Sequence, residues 1–339
     1  MSFRKRKDTT SMTLAEWAAT WGEQYLKRTV TVRSYERQLS IVNRQIVPAL
    51  GAIPLQKLST VRINEFYRNL ESSGLGAATV RYAHIVLGSC LKAAVKIGAL
   101  ARNPVANASP PRGKSESGGR ALTQAELDKL LKAFDGDPLF PVVALAAGTG
   151  ARINELLALE WAAVDWTTNT LRIDAALKPT KAGLERGAPK TERSRRMIRL
   201  DEGLAALLKA ERDRQEAEQR KIHGIGDVTT LRSLLPKRAL IFPASPLDPA
   251  KPRRHGQISK AFAARAAKLG LGGLRFHDLR HTHATLLLQA GVPVAAVSAR
   301  LGHANAAVTL GIYSHATSDA EAAAASVAGT LLSSVLKTR

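Results

Sequence analysis

The chain has 339 residues, 45% of them hydrophobic, enough for two ordinary domains each with its own core. Lys and Arg number 50 against 28 Asp and Glu, and the net charge of +22 calls for a polyanionic partner: nucleic acid, an anionic membrane surface or an acidic protein. The single Cys90 excludes an internal disulfide and a cysteine-based zinc site. No apolar run reaches the roughly 18 residues of a membrane span, and the basic start Arg4-Lys5-Arg6-Lys7 lacks the apolar core of a secretion signal.

Residues 1–12 read as a basic tail. Thr13 can cap a helix with Leu14, Trp17, Ala18, Trp21 and Tyr25 on its apolar positions. A second helix is expected from Val32 to Val47, with Tyr35, Leu39, Val42 and Ile46 on one face and Pro48 and Gly51 ending it. Ser59 begins a third, carrying Val61, Ile63, Phe66, Tyr67 and Leu70 up to Gly74. Thr79 begins a fourth, carrying Val80, Ala83, Leu87, Leu91, Ala94 and Val95 up to Gly98. Residues 13–107 are thus expected to form a four-helix domain. Residues 1–107 hold 16 Lys and Arg against 6 Asp and Glu, so a phosphate-contacting face is preferred to a merely solvated one. Residues 108–120, with Pro110, Pro111, Gly113, Gly118 and Gly119, have linker chemistry.

Thr123 and Glu126 form a capping box that opens a second domain over 121–339. An apolar helix from Pro141 to Ala147 ends in Gly148-Thr149-Gly150, and a new helix follows with Arg152 at its start. Leu171–Ile173 and Arg196–Leu200 read as strands, with Lys178 to Lys190 as a long hairpin loop between them. A charged helix runs from Asp201 to about Lys221, and residues 223–238 look like a surface insertion. Helices are then expected around 257–269, 277–290, 293–300 and 305–313, with an Ala-rich tail helix over about 318–335.

The candidate chemistry lies in the spacing of a few polar residues. His277 sits at a helix start, where unpaired amides favour anions, and Arg280 stands one turn on. Arg suits two phosphate oxygens at once. His281 and His283 invite a metal reading with His277, and His277 and His281 could chelate, but no carboxylate completes a set on that face, so no metal or cofactor is expected. Gly148-Thr149-Gly150 before Arg152 can serve an anion without being a nucleotide loop, since the Gly-Lys-Ser/Thr ending is missing. Glu155 can orient the Arg152 guanidinium. Lys190 could protonate a leaving oxygen, with Lys178 and Lys181 as rivals. His303 follows Gly302, a candidate left-handed helix cap, and Tyr313 lies on the next helix. Each alone has an ordinary reading as a solvated charge or a half-buried aromatic.

Together, Thr149-Gly150-Ala151-Arg152-Ile153-Asn154-Glu155-Leu156, Lys190-Thr191 with Ser194-Arg195-Arg196, His277-Asp278-Leu279-Arg280-His281-Thr282, and Leu301-Gly302-His303 followed by Thr309, Tyr313 and His315 resemble the tyrosine recombinase family, also called phage integrases. The resemblance covers about 121–318, and the 13–107 region resembles that family's core-site-binding domain. It implies a mainly α fold with a small antiparallel β-sheet: an N-terminal helical core-binding domain and a mixed α+β catalytic domain. It also implies that Arg152, Lys190, His277, Arg280, His303 and Tyr313 are catalytic, with Tyr313 forming a 3′-phosphotyrosyl link to DNA without metal or ATP. Double-stranded DNA at core-type sites, assembly as a homotetramer on DNA, a C-terminal helix docking in trans and a cytoplasmic location follow from the same likeness. DNA-bending or directionality proteins are further candidate partners. A separate small domain for arm-type sites is not expected, and a phage or mobile-element integrase is preferred. A chromosome-dimer resolvase, a type IB topoisomerase-like enzyme, a non-catalytic DNA-binding regulator and a metal-dependent nuclease are the rival readings.

Overall fold

The computed structural model describes residues 12–111, 119–180, 183–189, 194–224, 234–303 and 309–310. Tyr313, Lys190, the basic tail, the tail helix and most of the 223–238 insertion lie outside the described residues. Two compact units divide the chain, Met1–Gly118 and Gly119–Arg339.

In the first unit Thr13 caps α1 (Leu14–Trp21), and Glu16 returns the bond to complete a capping box. The helix continues through a wide π turn, Gly22–Leu26, into a last turn, α2 (Lys27–Thr29). A second rod runs through α3 (Val32–Ile41), another π turn (Val42–Ile46) and α4 (Val47–Leu50). Pro48 therefore does not stop this helix, contrary to the sequence expectation. Val47 donates back to Val42 across the widened turn, and Pro48 falls in the first turn of the next segment, where its missing N–H matters least. The third helix is α5 (Thr60–Ser72), capped by Ser59, with Ile63, Phe66, Tyr67 and Leu70 buried but Val61 exposed. The fourth, α6 (Ala77–Lys96), starts two residues before Thr79. Gly76 supplies the extended residue, Ala77 and Ala78 are good helix formers, and the Thr79 amide already bonds to Gly76. Trp17, Phe66, Tyr67, Leu87 and Leu91 lie at the centre of this core.

The second unit begins with α7 (Gln124–Ala133) behind the Thr123–Glu126 capping box. Next come α8 (Phe140–Thr149), apolar up to its last residue, and the single turn α9 (Ile153–Leu156). An antiparallel three-stranded sheet, in the order β1-β2-β5, is built from β1 (Val164–Asp165), β2 (Thr170–Ile173) and β5 (Arg196–Arg199), with Leu171 opposite Ile198. The expected long loop is itself a paired hairpin, β3 (Ala176–Thr180) with β4 (Gly183–Gly187), Lys178 lying opposite Glu185. Leu177 is buried and Arg186 donates to Asp174 and to the Ala158 carbonyl, which fastens the hairpin to the body. Its Gly, Pro and Lys content masks the strand alternation. Asp201 caps α10 (Glu202–Ile222), whose Gln215 accepts from the Trp161 indole and donates to Ile241. A further hairpin, β6 (Pro243–Ser245) with β7 (Asp248–Pro252), has no clear signal in the sequence, because prolines at its ends disguise an edge pair. Then follow α11 (His255–Lys268), α12 (Asp278–Gln289) and α13 (Val294–Leu301). At the centre of the larger core Phe134 stacks on Phe262, and Phe276 meets Phe262 edge to face. No described helix is long and apolar enough to cross a membrane.

Candidate active site

The C-terminal end of α8 organises the site. A helix end leaves carbonyls without intrahelical partners, and here side chains from α12 and α13 take them. His283 bonds through Nδ1 to the Ala147 carbonyl (2.8 Å), Arg300 Nη2 donates to Gly148 (3.0 Å), and Arg280 Nη1 donates to Gly150 (2.8 Å). The glycines of this turn make room for neighbours. A Cβ on Gly148 would stand 2.4 Å from Leu204, and one on Gly150 would stand 2.5 Å from Leu301 and 2.8 Å from His283. Gly150 also takes φ +64°, which L side chains rarely adopt. These glycines therefore have a packing role, which the sequence reading of an anion-holding turn did not include. Arg152, just past the turn, is the residue that reaches outward, with 39% of its side chain exposed.

Glu155 holds this arginine. One carboxylate oxygen accepts from Arg152 Nη1 at 2.8 Å, and the other takes the Arg152 amide at 3.0 Å and Arg196 Nη2 at 2.8 Å. Burial alone would raise the Glu155 carboxyl, but Arg196 and Arg152 overcome that and hold it below the usual range. With side chains 3% and 6% exposed, Glu155 and Arg196 form a buried pair. Glu155→Gln is expected to destabilise this unit by about 3–5 kcal/mol, because it leaves the Arg196 charge without its counterpart. Chemical denaturation of the two proteins measures this.

On α12 the buried Asp278 accepts from the Arg275 amide and guanidinium, which fixes the helix start at His277. Arg280 follows one turn on, is 4% exposed, and its Nη2 has no hydrogen-bond partner among the described residues. Burial first, then repulsion from Arg152, pushes Arg280 down to about 9, so it remains a cation at neutral pH in a place that disfavours one. His277 keeps an exposed face. Desolvation by its surroundings, then the nearby His281 and Arg280, push it down to about 4. His281 stacks edge-on against it at 5.2 Å, and the His281 ring lies where a Cβ on Gly119 would stand. After α13, Gly302 takes the left-handed cap conformation, φ +68°, and turns the chain to His303. There Nδ1 bonds to the buried Thr309 hydroxyl at 2.8 Å. Burial, then the charges of Arg280, Arg152 and Arg196, push His303 down to about 4.

Arg152, His277, Arg280 and His303 are thus brought together, close enough for both arginines to act on both imidazoles. The product is a concentrated cationic patch with two neutral imidazoles, able to neutralise a phosphodiester and to exchange a proton. Lys190 and Tyr313 lie outside the described residues, and the rival Lys178 is exposed on β3. Among the described residues no group of three or more His, Cys, Asp or Glu is placed to hold a metal. A cleft of about 470 Å³ between α10 and the β6–β7 hairpin is lined by none of the six candidate residues. Arg196 and Arg300 belong to the site although the sequence does not single them out, and His283, which the sequence offers beside His277 and His281 as a possible metal ligand, bonds to Ala147 and Arg300 in support of the site. Arg196 and Thr309 sit inside the quoted motifs, but nothing local marks Arg300.

His283 gives the unit an acid limit. It is 8% exposed and pushed down to about 4 by burial and then by Arg300. An unfolded histidine takes its proton near pH 6.5, so between about 6.5 and 4 the unfolded chain binds more protons and stability falls as pH falls. For His283 this loss is about 3 kcal/mol when complete. His277 and His303 act in the same direction. The melting temperature is expected to drop between pH 6.5 and 5, above the range where carboxylates titrate, and a flat profile there would contradict this account.

A model of the phage integrase family matches residues 120–319, and one of the phage integrase N-terminal SAM-like domain matches residues 13–70. The chain belongs to the phage integrase family. Among the relatives of this integrase-family protein, the "Tyrosine recombinase XerC-like" protein of Caldanaerobacter subterraneus subsp. tengcongensis is 28% identical over 282 residues, covering 78% of this chain and 69% of that protein. The ICEBs1 integrase of Bacillus subtilis is 25% identical, over 83% of this chain and 73% of its own. In fold, the chain is similar to the Tn1549 transposon integrase solved with a circular intermediate DNA (TM-score 0.74, 20% identity, 93% of this chain and 99% of that one). It is also similar to a lambda integrase in a tetramer bound to a Holliday junction (TM-score 0.62, 20% identity, 91% and 82%). The mainly helical architecture with small antiparallel sheets is therefore that of the tyrosine recombinases.

Proposed function

We propose that this tyrosine recombinase is a mobile-element integrase that cuts and rejoins double-stranded DNA through a 3′-phosphotyrosyl intermediate. The observation that carries the reading is Arg280: a buried guanidinium nitrogen without a partner among the described residues, beside Arg152, His277 and His303. A phosphoryl oxygen is the group such a nitrogen fits. In the first step the Tyr313 oxygen attacks phosphorus and the bond to the 5′-oxygen breaks. His277, neutral at pH 7, accepts the phenolic proton, and Lys190 gives one to the departing 5′-oxygen. Arg152 and Arg280 stabilise the charge gathering on the nonbridging oxygens. If the Thr309 hydroxyl donates to Nδ1, His303 carries its proton on Nε2 and donates to the same phosphate. A 5′-hydroxyl of the partner strand then reverses the step and releases Tyr313.

The basic 13–107 unit would contribute to holding core-type DNA, the enzyme would work as a tetramer on two sites, and its place of action would be the bacterial cytoplasm. Relatives named as the ICEBs1 integrase and as integrases of phages favour the integrase reading over the resolvase. The test is incubation of the full chain with a nicked duplex carrying its site, in EDTA. A covalent protein–DNA adduct that survives denaturant is expected. If none forms, the catalytic reading fails; if cleavage needs a divalent ion and leaves no adduct, a nuclease replaces it.

A further inference from the structure

Three segments carry the candidate catalytic groups: the turn after α8 with Arg152, the start of α12 with His277 and Arg280, and the turn after α13 with His303. They come from distant parts of the sequence, and the phosphate chemistry needs them in register. One side chain touches the supports of all three. The Arg300 guanidinium donates through Nε to His283 Nε2 on α12 (3.1 Å), through Nη2 to Gly148 at the end of α8 (3.0 Å), and through Nη1 to Arg199 on β5 (3.2 Å). Its own carbonyl accepts from Arg196 Nε, at 2.6 Å. Arg196 in turn holds Glu155, and Glu155 holds Arg152. Arg300 stands three residues before His303, separated from it only by Leu301 and the left-handed Gly302.

The chemistry of these contacts is directional. A carbonyl accepts, so His283 donates through Nδ1 to Ala147 and keeps its Nε2 lone pair for Arg300. The planar guanidinium meets an imidazole nitrogen and two carbonyls at once, which a lysine ammonium on a flexible stem cannot reproduce. A cation at the end of α8 is also favoured by the helix dipole.

We propose that Arg300 is a positioning residue of this enzyme: it clamps the end of α8, the middle of α12 and the end of β5 together and thereby sets His303 against Arg152 and Arg280. It touches no reacting atom. The inference rests on the phosphotyrosyl reading above, and the experiment separates the two. Wild type, Arg300→Met and Arg300→Lys are compared as full chains on the nicked duplex at saturating protein, well below their melting temperatures. The rate of adduct formation and the duplex affinity are read separately.

A displacement of about 1 Å in a catalytic group costs on the order of 100-fold. Arg300→Met is expected to lose that much in rate at saturation, with affinity within about threefold of wild type, and Arg300→Lys to recover only part of it. An Arg300→Met rate within threefold of wild type overturns the proposal. So does a loss that appears only as weaker binding, or one that tracks the unfolded fraction as temperature is varied. Should Arg300→Met not fold, Arg300→Lys decides by the same criteria. If wild type itself forms no adduct, the phosphotyrosyl reading fails and this proposal with it; if wild type reacts, the variants judge Arg300 alone.

Discussion

Tyr313→Phe is expected to abolish the covalent adduct, lowering its rate by a factor on the order of 10⁴ or more, while duplex binding stays within about twofold. The reason is chemical. A phenol with a pKa near 10 is a poor nucleophile at pH 7, and only a site that removes its proton and neutralises the phosphate can use it. Phenylalanine keeps the ring and deletes only the oxygen. Binding is carried by the Lys and Arg excess, which this change leaves alone. Gel analysis under denaturing conditions reads the adduct, and filter binding or anisotropy reads the affinity. An adduct formed by the Phe variant at a comparable rate would assign the nucleophile to another residue.

Arg280→Met is the second large effect, and it separates catalysis from stability. Loss of one charged donor to the transition state is expected to cut the rate of adduct formation by about 10³. Stability should move little. The guanidinium is 4% exposed, and its surroundings disfavour the charge, so an apolar side chain of similar length relieves a cost. Against that stands the Gly150 carbonyl, which loses its bond and costs about 1–3 kcal/mol. The two terms nearly cancel, and the melting temperature should stay within about 5 °C of wild type. A fall well beyond that, with activity restored on cooling, would make Arg280 a structural residue.

Much of the fold is legible in the amino-acid sequence. Thr13 with Glu16, Ser59, Thr123 with Glu126, and Asp201 each cap a helix at the residue where the sequence places the start or directly before it, because capping is a local exchange between residues three apart. Two kinds of feature escape such local rules. Pro48 has the sequence signature of a stop, but a π turn ahead of it absorbs the proline. The hairpins β3–β4 and β6–β7 escape because Gly, Pro and Lys at edge strands carry no clear alternation. The first of them is settled by contacts with the body, those of Arg186 and Leu177.

The site divides the same way. The amino-acid sequence by itself determined the kinds of residue, their order and the family, since Arg152, Lys190, His277 with Arg280, His303 and Tyr313 stand in short motifs whose chemistry is written in neighbouring letters. It also determined the basic charge that any DNA partner would meet. The tertiary structure alone decided how Arg152 and Arg280 come to face two neutral imidazoles, and what holds them there. The bond from Arg196 to Arg300 spans 104 positions and that from Arg300 to Gly148 spans 152, distances over which no periodicity or spacing rule operates. Burial did the rest: it left the Arg280 cation with a nitrogen lacking a partner among the described residues and kept His277 and His303 uncharged, and burial belongs to the packed molecule, not to any stretch of its chain.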